Sequence, residues 1–429
     1  MVVGHNALYK TCIILQYQIK FLIHHMNIKT CLSKFLILLI MSNIFLISLK
    51  AQQTVTDSAL LDRITELEKN QSYQKPGEDH FMVVGLATFG FVANKTTVTS
   101  NGISQTSKSN SLADADHYEF SPMFLWRHGK KFLLEFEPSF TGNGLGVNWA
   151  AISYFATPGL IIRAGYFVIP FGTYNKRMAA GWIDKLPTDP AGVANIPPSK
   201  DFGIEIEGGL PMGNMKWNYD ISLTNGYQML PDGTLQNAGV VDNNMNKTLT
   251  ARLGLLPFSN SSLELGVSGL IGKVGNAGDP NESTMTKMYA FDLNYVKLFN
   301  PILVNIKGQY NYIHVDQTNY VNTADSSGYT FNNNTNTYFT QISLRPTGSA
   351  NKFLNKLEAS FRIGNFNTPQ QSLWGQKSNS VEEALLYWLN WRTVLKMGYS
   401  TTNITAATKD DTDTKTTSGS FFLQFAIQL

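Results

Sequence analysis

From residue 80 to the carboxyl terminus, apolar and polar positions alternate with a period of two. Phe81, Val83, Gly85, Ala87, Phe89 and Phe91 share one face of a first segment. Tyr118, Phe120, Phe124 and Trp126 do so in a second. In a third, Phe132, Leu134, Phe136 and Phe140 alternate with Glu135, Glu137 and Ser139. Such alternation places successive side chains on opposite faces of a strand, giving an apolar face and a polar one. Sixteen segments carry it, near 81–93, 116–127, 131–140, 148–157, 160–169, 201–210, 215–225, 247–256, 262–272, 285–298, 301–314, 335–345, 354–366, 381–390, 393–402 and 418–429. Most have about ten residues or more, enough to cross an outer membrane when tilted.

The connections alternate as well. Residues 94–115, 170–200 and 226–246 are long, whereas 128–130, 157–159, 210–214, 257–260, 298–301 and 390–392 are short. Short periplasmic turns opposite longer external loops produce this pattern, and an even strand count puts both ends on one side. The last segment alternates through Phe421, Leu423, Phe425 and Ile427 to Leu429. Sandwich and lipocalin-sized domains hold too few strands, and no fixed repeat marks a solenoid. The predicted fold is therefore all-β: a 16-stranded antiparallel transmembrane β-barrel over 79–429.

Composition agrees with this reading. Only 15% of the 429 residues are charged and 12% are aromatic, against about 25% charged in ordinary soluble domains. Lys29 and Lys34 precede an apolar run at 35–47, and Ala51 offers a small residue for cleavage. That is a secretory signal pattern, with Met26 as the expected start and residues 1–51 as extension plus signal. Five of the 34 Lys and Arg lie there and none of the 31 Asp and Glu, so 29 basic and 31 acidic residues remain, a formal charge of −2. A basic surface for nucleic acid therefore has no support. Cys12 and Cys31 also fall in this segment, leaving no disulfide or thiolate metal site. Residues 52–78 are predicted as a short periplasmic helix and linker, Leu60, Ile64 and Leu67 sharing one face of the helix.

If the apolar face meets lipid, the polar face lines a lumen that sixteen strands leave wide enough for water. Alternation directs Arg163, Arg252, Lys307, Arg345, Arg362 and Lys396 inward, with Glu119, Glu135, Glu137, Glu205, Glu207, Glu264, Asp292 and Glu358 on the same side. The third external loop, 170–200, carries Lys176, Arg177, Lys185, Asp184 and Asp189, and Pro170, Pro187 and Pro190 stiffen it. Its length allows it to fold inward and narrow the lumen. The histidines His80, His117, His128 and His314 are scattered, and neither a metal-ligand motif nor a nucleophile elbow occurs. No cofactor and no enzymatic activity are expected.

Gly165, Phe167, Pro170, Phe171 and Gly172, following an amphipathic strand, resemble the signature of phosphate-selective porins of the O and P type, common in Bacteroidetes. Residues 384–390 followed by 394–399 are similar to that family's penultimate hairpin, and 220–226 to its asparagine-glycine strand end. The resemblance implies a homotrimeric 16-stranded porin in the outer membrane of a Gram-negative bacterium, its third loop constricting an anion-conducting pore. Arg163, Lys176 and Arg177 are the cations that match this route. Because acids share the lumen, the expectation is passive diffusion of small hydrophilic solutes or inorganic anions such as phosphate. A non-conducting surface or adhesion barrel and an outer-membrane hydrolase are the alternatives.

Overall fold

The structure is a computed structural model describing residues 79–112, 118–194, 199–242 and 244–429. The expected signal, start site and helix at 56–70 lie outside the described residues. In chain order the strands are β1 (His80–Ser100), β2 (Ile103–Leu112), β3 (Glu119–His128), β4 (Phe132–Thr141), β5 (Gly144–Thr157), β6 (Leu160–Val168), β7 (Lys200–Met212), β8 (Met215–Thr224), β9 (Tyr227–Met229) and β10 (Leu235–Asn237). They continue as β11 (Thr248–Leu256), β12 (Leu263–Lys273), β13 (Met285–Phe299), β14 (Ile302–Val315), β15 (Tyr320–Val321), β16 (Gly328–Tyr329), β17 (Asn334–Pro346), β18 (Leu357–Asn367), β19 (Gln376–Asn390), β20 (Thr393–Ala406) and β21 (Lys415–Gln428).

Seventeen of these form one antiparallel sheet. β2 and β3 pair with different stretches of β1, Phe91↔Leu112 above and Thr88↔Glu119 below, so they share one position in the wall. β1 then closes on β21 from Leu86↔Gln428 to Thr99↔Lys415. The result is a closed barrel of sixteen strand positions, which leaves no long edge unpaired within the wall. β9–β10 and β15–β16 are small hairpins inside the longer loops.

The connection expected as a long loop at 94–115 is different. β1 continues to Ser100, turns at Asn101 and Gly102, and returns as β2. Both turn residues have positive φ, 51° and 76°, the geometry of the tight hairpin turn that Asn-Gly favours. This hairpin is Ser- and Thr-rich and exposed on both faces, so it lacks the apolar alternation by which the other strands announce themselves.

Burial follows the alternation. Phe81, Phe89, Phe120, Phe132 and Phe136 face outward, and Phe124 stacks between Phe81 and Phe136 at ring distances of 6.2 and 6.3 Å. Trp126, Phe132, Phe299, Phe353 and Trp391 lie exposed near the short-turn end, as an interfacial aromatic girdle does. Among the described residues no helix is long and apolar enough to cross a membrane. The β3–β4 ladder pairs Phe120↔Phe140 and Phe124↔Phe136 with a gap between them. Pro122 and Pro138 fall in that gap and have no N–H to donate, so the β3–β4 ladder is interrupted next to Glu119 and Glu137.

Candidate functional site

After Val168 the chain enters the barrel through residues 169–194, and its launch is set by local chemistry. Gly165 has φ 138°, and a Cβ there would overlap the Ala150 carbonyl of β5, so the strands approach closely only with glycine. Ile169 and Phe171 then bury themselves among Leu270, Met288 and Ile313 of the wall and Tyr227 and Tyr320 of the outer loops. Pro170 between them ends the ladder. At Gly172, φ is 67° and a Cβ would overlap the Gln309 side chain. The Gly172 N–H donates to Ser268 Oγ at 3.0 Å, and the Thr173 and Tyr174 N–H groups donate to Gln309 Oε1 at 2.9 and 3.0 Å. These bonds turn the chain inward into one helical turn, Tyr174–Met178, whose Tyr174 ring meets Phe339 of β17 edge-on.

From this turn Lys176 reaches back across the lumen. Its ammonium bonds Glu205, Glu207 and Asp220 at 2.6, 2.7 and 2.7 Å. Burial opposes its charge, but Glu205, Asp220 and Glu207 outweigh it and hold the lysine above its ordinary pKa. Arg177 bonds Glu264 of β12 at 2.9 Å.

Further along, the loop is tied to the opposite wall. Lys307 donates to the Ile183 carbonyl at 2.9 Å and Lys396 to the Leu186 carbonyl at 3.2 Å. Thr188 donates to Glu382 at 2.6 Å, and Arg362 bonds both Glu382 (2.6 Å) and Asp184 (3.3 Å). Leu186 packs on Leu386, Trp388, Val394 and Ala426. Burial pushes the Asp184 carboxyl upward, yet Arg362, Lys307 and Lys396 together hold it below the ordinary value. Burial lowers Lys185, whose ammonium stands 4.4 Å over the Trp388 ring and 3.7 Å from Glu358. On the return, Thr337 donates to the Ala191 carbonyl at 2.8 Å.

The residues singled out in the sequence thus fall into two assemblies. Arg163 bonds Glu205 and, at 2.7 Å, Glu207; its Nε lies 3.6 Å from Glu135. Lys176 and Arg177 join this group through shared carboxylates, and Arg252 joins through Glu264 at 3.1 Å while holding Asp292 at 2.6 Å. Lys185, Lys307, Arg362 and Lys396 gather around the Asp184 stretch of the loop. Arg345 sits apart toward the short-turn end, bonded to the Asn355 carbonyl and stacked on Trp388. Gln309, Glu382 and Tyr174 escaped notice. Glu382 shares its strand face with the apolar Ala384, Leu386 and Trp388, so parity alone does not mark it.

Beside the loop, on the β3–β8 side, lies a cavity of about 1320 Å³. Pro158, Gly208 and Gln428 line it at the short-turn end, and Thr141, Ser199 and Lys200 at the loop end. Lys176, Trp182 and Asp189 of the loop face Glu137, Asn148 and Trp149 of the wall across it.

No protein-family model and no curated protein matches the chain. Among solved structures, the outer membrane channel DcaP of Acinetobacter baumannii matches with a TM-score of 0.55 at 12% identity, over 83% of this chain and 99% of that one. An anion-selective porin from Comamonas acidovorans matches with 0.49 at 13% identity, over 82% and 100%. OmpF of Salmonella typhi, in complex with daunomycin, matches with 0.45 at 12% identity, over 79% and 97%. The likeness to the DcaP channel is one of fold.

Proposed function

We propose that this chain, built on the barrel fold of an outer-membrane channel, is a porin for passive diffusion of small hydrophilic solutes across the outer membrane of a Gram-negative bacterium. The observation that carries the reading is a cavity lined from Gly208 and Gln428 at one end of the barrel to Thr141 and Lys200 at the other. Its walls mix apolar side chains with charged and amide ones such as Glu119, Glu137, Asn148, Lys200 and Gln428, which water wets. In this reading the inserted loop is the constriction, with Lys176, Arg177 and Lys185 on it and Arg163, Arg252, Lys307, Arg362 and Lys396 holding it or lining the path. The outer apolar band meets lipid, residues 1–51 direct export, residues 52–78 stay periplasmic, and the barrels assemble as a homotrimer. Inorganic anions such as phosphate enter the reading only through the short motifs at 165–172 and 384–399.

Reconstitution of the purified protein in planar bilayers tests it. Stepwise, ohmic conductance increments are expected. A barrel that is folded by heat-modifiable gel migration yet electrically silent would overturn the porin reading in favour of a surface barrel. The apolar cap of Tyr227, Tyr320 and Phe331 over part of the mouth is the feature that would then matter.

A further inference from the structure

The charges along the cavity are unequally committed. One continuous ion-pair network runs through β4 to β13 and the loop. It holds the cations Arg163, Lys176, Arg177 and Arg252. Its carboxylates are Glu135, Glu205, Glu207, Asp220, Glu264 and Asp292. Four cations against six carboxylates leave this network with two negative charges in excess. Every guanidinium and ammonium in it is already aimed at wall carboxylates, so none is presented free to a passing anion.

The carboxylates beside it are the reverse case. Glu119 accepts from Ser121 (2.5 Å), Ser139 (3.2 Å) and the Asn148 amide (2.9 Å), and Glu137 accepts from Asn148 at 3.3 Å. All these donors are neutral. Hydrogen bonds from neutral groups orient a carboxylate and leave its charge in place. Among the described residues no basic nitrogen comes within ion-pair distance of either. The nearest cation, Lys200, stops short of both: its ammonium bonds Asn148 Oδ1 at 2.5 Å while the same amide's Nδ2 faces the acids, so two carboxylates stand against one lysine charge. Both glutamates line the cavity, beside the interruption of the β3–β4 ladder at Pro122 and Pro138. The remaining basic group on the lining, Lys396, bonds the Leu186 carbonyl, and its charge is faced by the carboxylates of Asp184, Glu382 and Asp189.

We propose that the path prefers small cations, inorganic or ammonium-bearing, over chloride and phosphate, and that Glu119 and Glu137 set that preference. A low-dielectric wall carrying an excess of carboxylates concentrates cations and repels anions along a narrow aqueous path. The inference rests on the porin reading above, and the two are separated by one set of measurements on the full-length protein.

In planar bilayers under a potassium chloride gradient, the wild-type reversal potential is expected to take the sign of a potassium-selective pore. Replacing chloride by phosphate should leave the conductance nearly unchanged. Glu119→Gln and Glu137→Gln keep the hydrogen-bond acceptors while removing the charge. The double variant should bring the potassium-to-chloride permeability ratio toward one. Ohmic conductance with chloride or phosphate preferred in the wild type overturns the cation preference and leaves the porin intact. A cation-selective wild type whose ratio survives in the folded double variant overturns the assignment to these two residues. A folded, silent barrel overturns both readings. The wild-type arm needs no variant, so a folding defect in the glutamines does not shield the proposal.

Discussion

Gln309 Oε1, on β14, accepts the backbone N–H of Tyr174 at 3.0 Å and that of Thr173 at 2.9 Å. The first N–H groups of a helical turn have no partner within the turn, so a wall side chain fixes where the loop begins to cross the lumen. Gln309→Leu removes the acceptor and leaves two N–H groups unsatisfied, at about 1–3 kcal/mol each. We expect a barrel that still forms but a loop that no longer holds its place, seen as larger and noisier single-channel currents. Wild-type current traces from this variant would show that the bond is dispensable.

Arg362, buried at 3% exposure, bridges Asp184 of the loop and Glu382 of the wall. Removing one partner of a buried ion pair leaves an uncompensated charge and typically costs about 3–5 kcal/mol. Arg362→Met should therefore lower the thermal midpoint of loop ordering, read as increased proteolysis between residues 180 and 190. Adding Glu382→Gln removes one stranded charge and should recover part of the loss. Equal protection in all three proteins would refute the bridge as an anchor.

Gly172 has a backbone at φ 67° and leaves no room for a Cβ beside Gln309. Gly172→Ala meets both obstacles, a left-handed conformation that costs about 1 kcal/mol for a residue with a side chain and an overlap that displaces Gln309. The expected result is the phenotype of Gln309→Leu, and combining the two should add little, because both act through one contact. Strict additivity would separate them.

The barrel was legible because its two-residue period is imposed by lipid on one side and water on the other, and Arg163, Arg252 and Glu205 were assigned inward on that basis alone. The hairpin at Asn101 and Gly102 was missed because it stands beyond the apolar band, where nothing selects an alternation. The loop's partners were harder. Ala384, Leu386 and Trp388 are apolar yet face inward, because Leu186 of the loop covers them. With Leu385 and Leu389 outward, both faces of β19 are greasy, so parity hides Glu382. Contacts between loop and wall join residues far apart in sequence, such as Lys396 and Leu186, and no local pattern records them.

Acid and alkali should act on the loop at different points. Asp184 is held below its ordinary pKa: burial works against it, but Arg362 and then Lys307 and Lys396 prevail. A depressed carboxyl stabilises the folded arrangement at pH above its unfolded value of about 3.9, and loses that contribution as the pH falls through its folded value. Lys176 is held up by Glu205, Asp220 and Glu207 against burial. Its contribution is complete below the unfolded lysine value of about 10.4 and is lost only as the pH rises through the higher folded one. From neutral pH downward, single-channel conductance should therefore stay flat to about pH 5 and become unstable only below about pH 4, as Asp184 takes up its proton. Asp184→Asn should show that instability already at neutral pH. A flat profile down to pH 2 together with quiet currents from the asparagine variant would remove Asp184 from the anchoring of the loop.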